Sequence, residues 1–428
     1  MGFASFVITL LYLFLLRWIT KPLLYTSLFL IFVLGLMVGY FAWLKQDDYQ
    51  LEEEAQNKQF AKGIAILIWV LTAIYTLFVC CQWSNIALGA SIMEAAGEFV
   101  SSNSHIGLLP IVTYILCIPV AAWWAASAVY LYSIGTVKYE DSSFIATIEW
   151  EDQTTYLFWF FLFGLFWIIA FIVAVEQFVT AAVTCMWYFS GEGSDAAQSR
   201  GAVSISLALK WTFLYHLGSI AFGAFLIAVV TMIKVVFEYL AKKYEAVAGK
   251  DNVIYKMVVC VIRGAIWCLD CCVKFINENA YIQIALHNSN FCKAASESFY
   301  LMIRHAGRFS SASIVGWIMT LLGKGTILGA SVWLTIILVE AQYPFIQQPI
   351  VPAVIVGVIA YVVASLFLSI FDFASLAILH CFIMDEDFGG SSRTPDSLKS
   401  FLDLNDEQVA KKGKKVNPNG VQKEGVEQ

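Results

Sequence analysis

The sequence predicts an all-α polytopic membrane protein with nine transmembrane helices and additional amphipathic helices at the membrane interface. Hydrophobic residues make up 60% of the 428 residues, charged residues make up only 14%, and the mean hydropathy is +0.73. These values differ strongly from those of a soluble globular domain. Apolar runs of about 20 residues, long enough to cross a hydrocarbon core roughly 30 Å thick, recur along the chain.

Four predicted spans lie in the first third of the chain. The first two, at about 2–17 and 22–44, are separated by a predicted turn at Arg17–Pro22, where basic residues and a proline interrupt the apolar sequence. Spans three and four, at about 60–82 and 108–136, lie on either side of residues 84–101. Apolar residues recur at helical spacing over 84–101, which predicts an amphipathic helix.

Five further spans follow. An acidic loop at 138–153 precedes span five, and Arg263, Asp270 and Lys274 interrupt span seven. Spans five to nine lie at about 155–189, 205–238, 253–276, 312–340 and 350–384. Residues 1–386 therefore form the predicted transmembrane domain, and the composition of residues 387–428 predicts a polar, disordered cytosolic tail.

Basic residues predict the orientation of the chain. The basic residues of the first turn, those at 304 and 308, and the lysines of the tail lie on one side of the membrane only if the number of crossings is odd. Because basic segments stay cytosolic, nine crossings place the C-terminus in the cytosol and the acidic loops 45–59 and 138–153 outside. The first residue then also lies outside, which predicts that an upstream span and an external loop are missing.

Residues 274–304 are a polar block between hydrophobic segments. They are rich in Asn, Ser and Cys, and lipid offers such groups no hydrogen-bonding partner. In one interpretation Asn277, Asn279, Tyr281 and Asn290 form a gate or contact a substrate. In the other they form a structural elbow that links broken helices. Apolar positions at helical spacing within the block favour the elbow.

Four sequence blocks resemble the choline transporter-like family of solute carriers. They are LLRWITKPL at 15–23, LFGLFW and EQFVTAAVTCMWYF within 162–189, LYHLGSIAFGAFLIAVV with KVVFEYLAKK within 214–243, and the segment from CLDCC to LMIR at 268–304. The resemblance extends from about Gly2 to about Met384. It implies ten spans with both termini in the cytosol, of which this chain supplies spans two to ten. It also implies that the family's first span and large external loop are absent.

The resemblance implies that the substrate is choline or a related small organic cation such as ethanolamine. A quaternary ammonium ion forms no hydrogen bonds, so its site needs aromatic faces, each contributing about 0.5–2 kcal/mol, and a carboxylate. The chain has 14 Trp, 19 Tyr and 33 Phe, too many for aromatic residues alone to identify the site. The predicted substrate-binding residues therefore combine aromatic and polar groups at membrane depth: Trp167, Phe171, Glu176, Gln177, Tyr188, Tyr215 and His216.

Two of these residues have a structural alternative. Glu176 is equally compatible with an ion pair to Lys210, Lys234 or Lys324. His216 is also compatible with an ordinary hydrogen bond between helices.

Four other charged residues lie at predicted membrane depth: Arg263, Asp270, Lys324 and Asp372. Arg263 is spaced to stack on Trp267 one turn away. Asp372 is a candidate partner of Lys324, or of a hydrogen bond within the helix bundle. The cysteines around residue 270 lack a second pair of metal ligands, so neither a metal nor a cofactor is predicted.

The leading functional hypothesis is a facilitative membrane transporter of choline or a related organic cation, surrounded by lipid. The net charge of −6 argues against nucleic acid as a partner. The alternative is a non-transporting scaffold or a subunit of a larger membrane complex. An enzyme is not predicted, because the H-E-x-x-H and G-x-S-x-G motifs are absent. The plasma membrane is the expected location, and an organelle membrane, including a mitochondrial one, is the alternative.

Overall fold

The computed structural model describes residues 2–44, 55–139, 146–190, 203–248, 253–342, 350–388 and 394–399. Over these ranges the chain is mainly helical, with a 3₁₀ turn at Ser104–Leu108, a π-helical turn at Thr212–His216 and one small sheet. The α-helices are α1 (Gly2–Leu44), α2 (Ala55–Cys81), α3 (Trp83–Ser102), α4 (Leu109–Tyr132), α5 (Asp152–Phe189), α6 (Ile205–Trp211), α7 (Leu217–Ala248), α8 (Val253–His287), α9 (Phe291–Arg304), α10 (Ala306–Gln342) and α11 (Ile350–Asp387). The predicted class, an all-α polytopic membrane protein, is confirmed.

The predicted turn at Arg17–Pro22 is wrong, because α1 is one continuous helix of 43 residues with Pro22 inside it. A proline removes one backbone hydrogen bond, but membrane helices tolerate this loss when neighbouring helices hold them in place. Here α1 packs against α3, α10 and α11. Lys21, next to the proline, forms an ion pair with Glu94 on α3 at 2.6 Å. At 1.5 Å per residue α1 is about 65 Å long, roughly twice the thickness of a hydrocarbon core.

Seven helical segments of the described residues are long and apolar enough to cross a membrane. They are Thr20–Leu44, Lys62–Cys81, Ser104–Tyr132, Asp152–Phe189, Ile205–Glu245, Ala306–Ala341 and Ile350–Asp387. These segments correspond to predicted spans two to six, eight and nine. The number nine is not confirmed, since residues 2–17 are part of α1 and predicted span seven lies in α8, which is not among the seven. The orientation of the chain stays a prediction.

Two stretches predicted to be irregular contain ordered structure. Within the predicted acidic loop at 138–153, strand β2 (Ala146–Glu149) pairs antiparallel with β1 (Thr136–Tyr139). β-Branched residues in both strands, together with the tyrosine of β1, favour this extended backbone. Residues 45–54, which include most of the other acidic loop, lie outside the described residues.

The start of the predicted tail packs against the bundle, which corrects the prediction of disorder for residues 394–399. The Thr394 hydroxyl donates a hydrogen bond to the Asp385 carboxylate at 3.0 Å, and the Leu398 side chain is completely buried. Burial of one leucine and one hydrogen-bonded threonine favours this short segment over a solvated one. Residues 389–393 and 400–428 lie outside the described residues.

The core of the bundle lies around α11 and α3. The second half of α11 is buried on nearly every face and packs against α3, α5, α8 and α10. Small residues such as Ala360, Ala364, Ala374 and Ala377 let the neighbouring helices approach closely. The stretch 84–101 is helical as predicted, but α3 is surrounded by α1, α10 and α11 and buries most of its faces. It is therefore a central packing element of the structure.

Gly223 sets the distance between α7 and the polar block. A Cβ atom at this position would collide with the hydroxyl of Tyr281 on α8 and come within 2.8 Å of the ring of Phe291 on α9. Tyr281 and Phe291 are both buried, so neither ring is free to move away. Gly218, on the same helix, has open space around the position of its missing Cβ.

Replacing Gly223 by alanine should destabilise the protein, because the added methyl group overpacks a buried contact at a cost of about 1–3 kcal/mol. The measurement is the midpoint of unfolding of the purified protein in detergent, followed by tryptophan fluorescence. Gly218→Ala is the matched control, and its midpoint should stay the same or rise because alanine favours a helix by about 0.5–1 kcal/mol. Equal midpoints for the two variants would contradict the close contact.

Candidate functional site

A cavity of about 620 Å³ lies between α3, α4, α5, α8, α10 and α11. The part of its lining that lies on long candidate membrane spans comes mainly from the second half of α5, the first half of α10 and the second half of α11. The polar and aromatic side chains that line it are Tyr114, Glu176, Gln177, Thr180, Phe275, Glu278, Ser313, Trp317, Thr320, Lys324, Ser369, Asp372, Phe373 and Ser375. A cavity of this volume falls within the range of small-molecule sites, about 300–1,000 Å³.

Three carboxylates from three helices face this cavity. Glu176 comes from α5, Glu278 from α8 and Asp372 from α11. The hydroxyl of Thr320 donates a hydrogen bond to Asp372. No ion pair of Glu176 or Glu278 occurs among the described residues.

Glu278 is the carboxylate of the cavity that lies outside the seven candidate spans, on α8. Burial raises the pKa of Glu278 to about 7, although the nearby Lys274 lowers it. The negative charge of Asp372 raises this pKa further. The charge of the cavity therefore depends on pH near neutrality.

Lys324 is the cation among the described lining residues. With the three carboxylates ionised, one ammonium group leaves the cavity with an excess of negative charge. Four aromatic side chains complete the lining: Tyr114, Phe275, Trp317 and Phe373. An excess of carboxylate combined with aromatic faces suits an organic cation better than an anion or an apolar ligand.

The structure brings two of the seven predicted substrate-binding residues to this cavity. Glu176 and Gln177 line it from α5. Trp167 lies elsewhere on α5, where its indole N–H donates to the carbonyl of Ala221 at 3.1 Å and its ring packs against Phe225. Phe171, one turn further along, packs half-buried against the hydrophobic core.

The other three predicted residues also lie away from the described lining of the cavity. Tyr188 is completely buried, and its hydroxyl lies 3.4 Å from the carboxylate of Asp385. Tyr215 is 70% exposed in the π-helical turn. The ring of His216 packs against Phe178 at 5.2 Å. Their assignment to substrate binding stays a prediction without support from this geometry.

Among the four predicted intramembrane charges, Lys324 and Asp372 both reach the cavity. The hydrogen-bonding partner of Asp372 is Thr320 rather than Lys324. This agrees with the second of the two predicted alternatives, a hydrogen bond within the helix bundle. The sequence prediction missed Glu278, although Glu278 lies inside the polar block 274–304. The signal for Glu278 was a carboxylate flanked by two asparagines within a hydrophobic environment.

The remaining two charges connect α7 and α8 away from the cavity. Arg263 forms a two-point ion pair with Glu238, at 2.7 and 2.8 Å, and this corrects the predicted stacking on Trp267. A carboxylate matches the planar guanidinium better than an indole does. Asp270 pairs with Lys274 at 3.0 Å and also with Lys234, which removes Lys234 from the predicted partners of Glu176.

The polar block forms hydrogen bonds in the interior of the bundle. The amide of Asn277 donates to the carbonyl of Gly223 on α7 at 2.8 Å. The hydroxyl of Tyr281 lies 3.4 Å from the carbonyl of Ile220. Asn279 accepts a hydrogen bond from Nε2 of the buried His380 on α11 at 2.8 Å and donates to the carbonyl of Phe275 at 2.7 Å. These contacts connect α8 to both α7 and α11.

The chain turns sharply at the end of α8. Asn288 adopts a positive φ of 52°, a conformation that asparagine tolerates better than most residues. Asn290 then caps α9, its side-chain oxygen accepting from the backbone N–H of Lys293 at 3.1 Å. Residues 274–304 are therefore two helices joined by a capped turn, a geometry that fits the elbow interpretation.

The comparisons with known proteins agree with the earlier resemblance. The family described as plasma-membrane choline transporter matches residues 66–387. The chain is 26% identical over 408 residues to choline transporter-like protein 2 of Dictyostelium discoideum, covering 92% of this chain and 64% of that protein. It is 28% identical over 401 residues to choline transporter-like protein 3 of Bos taurus, covering 91% and 60%. It is 26% identical over 413 residues to choline transporter-like protein 3 of Homo sapiens, covering 94% and 61%.

The chain thus spans between 60% and 64% of the length of these curated relatives. The family match covers more than half of this chain. The activities of the relatives are those of proteins that are longer than this chain.

Replacing Asn279 by alanine should lower the free energy of unfolding by about 1–3 kcal/mol, because the buried His380 loses one of its two hydrogen-bonding partners and keeps only Gln283. The unfolding midpoint in detergent measures this effect. Asn290→Ser is the control, since serine also caps a helix and should change the free energy by less than about 0.5 kcal/mol. An unchanged midpoint for Asn279→Ala, together with altered transport, would favour the gate interpretation over the elbow.

Proposed function

The chain belongs to the plasma-membrane choline transporter family, and from that premise we propose that it carries choline or a related organic cation such as ethanolamine across a membrane by facilitated transport. The observation that carries this proposal is the cavity, where Glu176, Glu278 and Asp372 converge among four aromatic side chains. The carboxylates of the cavity attract a positive charge, and Glu176 and Asp372 do so within candidate membrane spans. Aromatic faces replace the water that a quaternary ammonium ion loses when it binds.

The strength of such a site suits a carrier. A cation–π contact contributes about 0.5–1 kcal/mol when exposed and about 2 kcal/mol when desolvated. Two or three contacts therefore contribute several kcal/mol, and dissociation constants near 1 mM to 1 µM correspond to about 4–8 kcal/mol. A ligand held at this strength leaves readily on the other side.

The membrane potential supplies the driving force. Moving one elementary charge through 100 mV is worth about 2.3 kcal/mol. A facilitative carrier of a monovalent cation therefore concentrates its substrate about fiftyfold on the negative side without a coupled ion. We place this activity in the plasma membrane, with the C-terminus in the cytosol, on the basis of the family description and the basic residues near the C-terminal end.

Proteoliposomes containing this chain should accumulate labelled choline saturably, and an inside-negative potential should increase the accumulation. Empty vesicles and vesicles with the potential abolished are the references. Uptake no greater than in empty vesicles, for choline and for ethanolamine, would overturn the proposal and favour a non-transporting membrane scaffold.

Carboxylate variants test the same proposal at the cavity. Glu176→Gln should raise KM about tenfold, equivalent to about 1.4 kcal/mol, because the neutral amide no longer attracts the cation. Glu297→Gln is the matched control, since Glu297 is exposed on α9 away from the described cavity lining. Equal KM values for the two variants would place the substrate elsewhere.

Glu278 should make transport depend on pH. With a pKa of about 7, its ionised fraction rises from about one tenth at pH 6 to about nine tenths at pH 8. The charge of choline does not change in this range, so KM should fall as the pH rises and the carboxylate ionises. Initial rates at pH 6, 7 and 8 measure this trend under a constant imposed potential. The Glu278→Gln variant should lose it, and the same trend in that variant would assign the dependence to another group.

A further inference from the structure

A second cavity of about 370 Å³ adjoins the first, and Lys324 stands between them. Both cavities are lined by Trp317, Thr320 and Lys324 of α10. The smaller one continues along α10 past Gly325 to Tyr361 on α11. No carboxylate is among its described lining residues, which apart from Thr320 and Lys324 are aromatic, apolar or glycine.

The ammonium group of Lys324 occupies the aromatic wall of this second cavity. Its Nζ lies 5.8 Å from the centre of the Tyr361 ring, within the range of a cation–π contact. No ion pair of Lys324 occurs among the described residues. The ring of Tyr361 is therefore already used as a cation-binding surface, and the cation it binds belongs to the protein.

The backbone at Lys324 is held in place while its side chain has room to move. A Cβ atom at Gly323 would lie 2.9 Å from both Tyr12 and Leu368, so α10 is tightly packed on that side. A Cβ atom at Gly325 would meet nothing within 4 Å, so the opposite side is open. Lys324 lines both cavities, so its side chain borders empty space on either side and can leave Tyr361 without a movement of the helix.

Asp372 offers the alternative position for the ammonium group. Thr320 donates a hydrogen bond to Asp372, and Lys324 follows Thr320 by one turn on the same face of α10. From this position Lys324 can turn either towards Tyr361 or towards the carboxylates of the large cavity. A positively charged substrate would compete with it at both places.

We propose that the aromatic face of Tyr361 is a second binding site for an organic cation, and that Lys324 is a tethered cation that occupies this site until the substrate displaces it. This inference rests on the proposed transport function. A transported cation then occupies the two cavities one after the other along its path. Lys324 then lowers the apparent affinity for the substrate, because its ammonium group competes with the substrate cation for the Tyr361 ring.

The experiment measures KM and maximal rate for choline uptake into proteoliposomes with the full chain and its variants. Lys324→Gln should lower KM about tenfold, the effect of freeing one partly desolvated cation–π site. In the Lys324→Gln background, Tyr361→Leu should return KM to near the wild-type value, whereas Tyr361→Leu alone should change KM less than about threefold. Lys324→Arg keeps the positive charge and should not lower KM. Lys256→Gln and Tyr300→Leu are exposed controls outside both described cavity linings.

The outcomes separate this inference from the proposed function. If the wild-type protein transports choline but Lys324→Gln leaves KM unchanged or raises it, the tethered-cation inference is wrong and the transport proposal stands. If the lower KM of Lys324→Gln persists after Tyr361→Leu, the gain comes from the large cavity alone and the second site is overturned. If the wild-type protein transports no cation, the proposed function itself fails. Lys324→Met, with a side chain of similar length, replaces Lys324→Gln if that variant does not fold.

Discussion

A polar group within a bilayer has to find its partner inside the protein, because hydrocarbon offers none. This constraint organises the centre of the molecule. The asparagines of α8 bond to backbone and side-chain groups of α7, α8 itself and α11, and the buried His380 is held between Asn279 and Gln283. Since these bonds cross between helices, the polar block orders the bundle instead of disrupting it. The position of the cavity depends on this order.

The same constraint gives meaning to the charged side chains that form no ion pair among the described residues. Arg263 and Asp270 are paired along α7 and α8 and therefore act as structural links. Glu176, Glu278 and Lys324 face a cavity instead, without an ion pair among the described residues. A charge at membrane depth is costly to keep, so carboxylates that face a cavity without an ion pair favour a cationic ligand. Three carboxylates against one ammonium group among the described lining residues support the proposal of a cationic substrate.

The sequence predicted three of the four charged residues in the described lining of the cavity, but few of its other polar and aromatic residues. Glu176, Gln177, Lys324 and Asp372 were predicted because a polar residue stands out in an apolar helix. Trp167, Tyr188 and Tyr215 were also predicted, but they lie away from the described lining of the cavity. In a sequence with 33 Phe, 19 Tyr and 14 Trp, the presence of an aromatic residue says little about which face of its helix meets a cavity.

The sequence by itself determined the class of the protein, the approximate limits of seven helical segments that are long and apolar enough to cross a membrane, and the helical character of the polar block. These properties follow from local hydrophobicity, which depends only on residues that are consecutive in the sequence. Only the tertiary structure decided that α1 continues through Pro22, that residues 394–399 return to the bundle and that Glu278, Trp317 and Lys324 meet Asp372 around one cavity. Those properties depend on which helices become neighbours. Packing between residues far apart in the chain determines which helices become neighbours, so a local sequence pattern does not predict it.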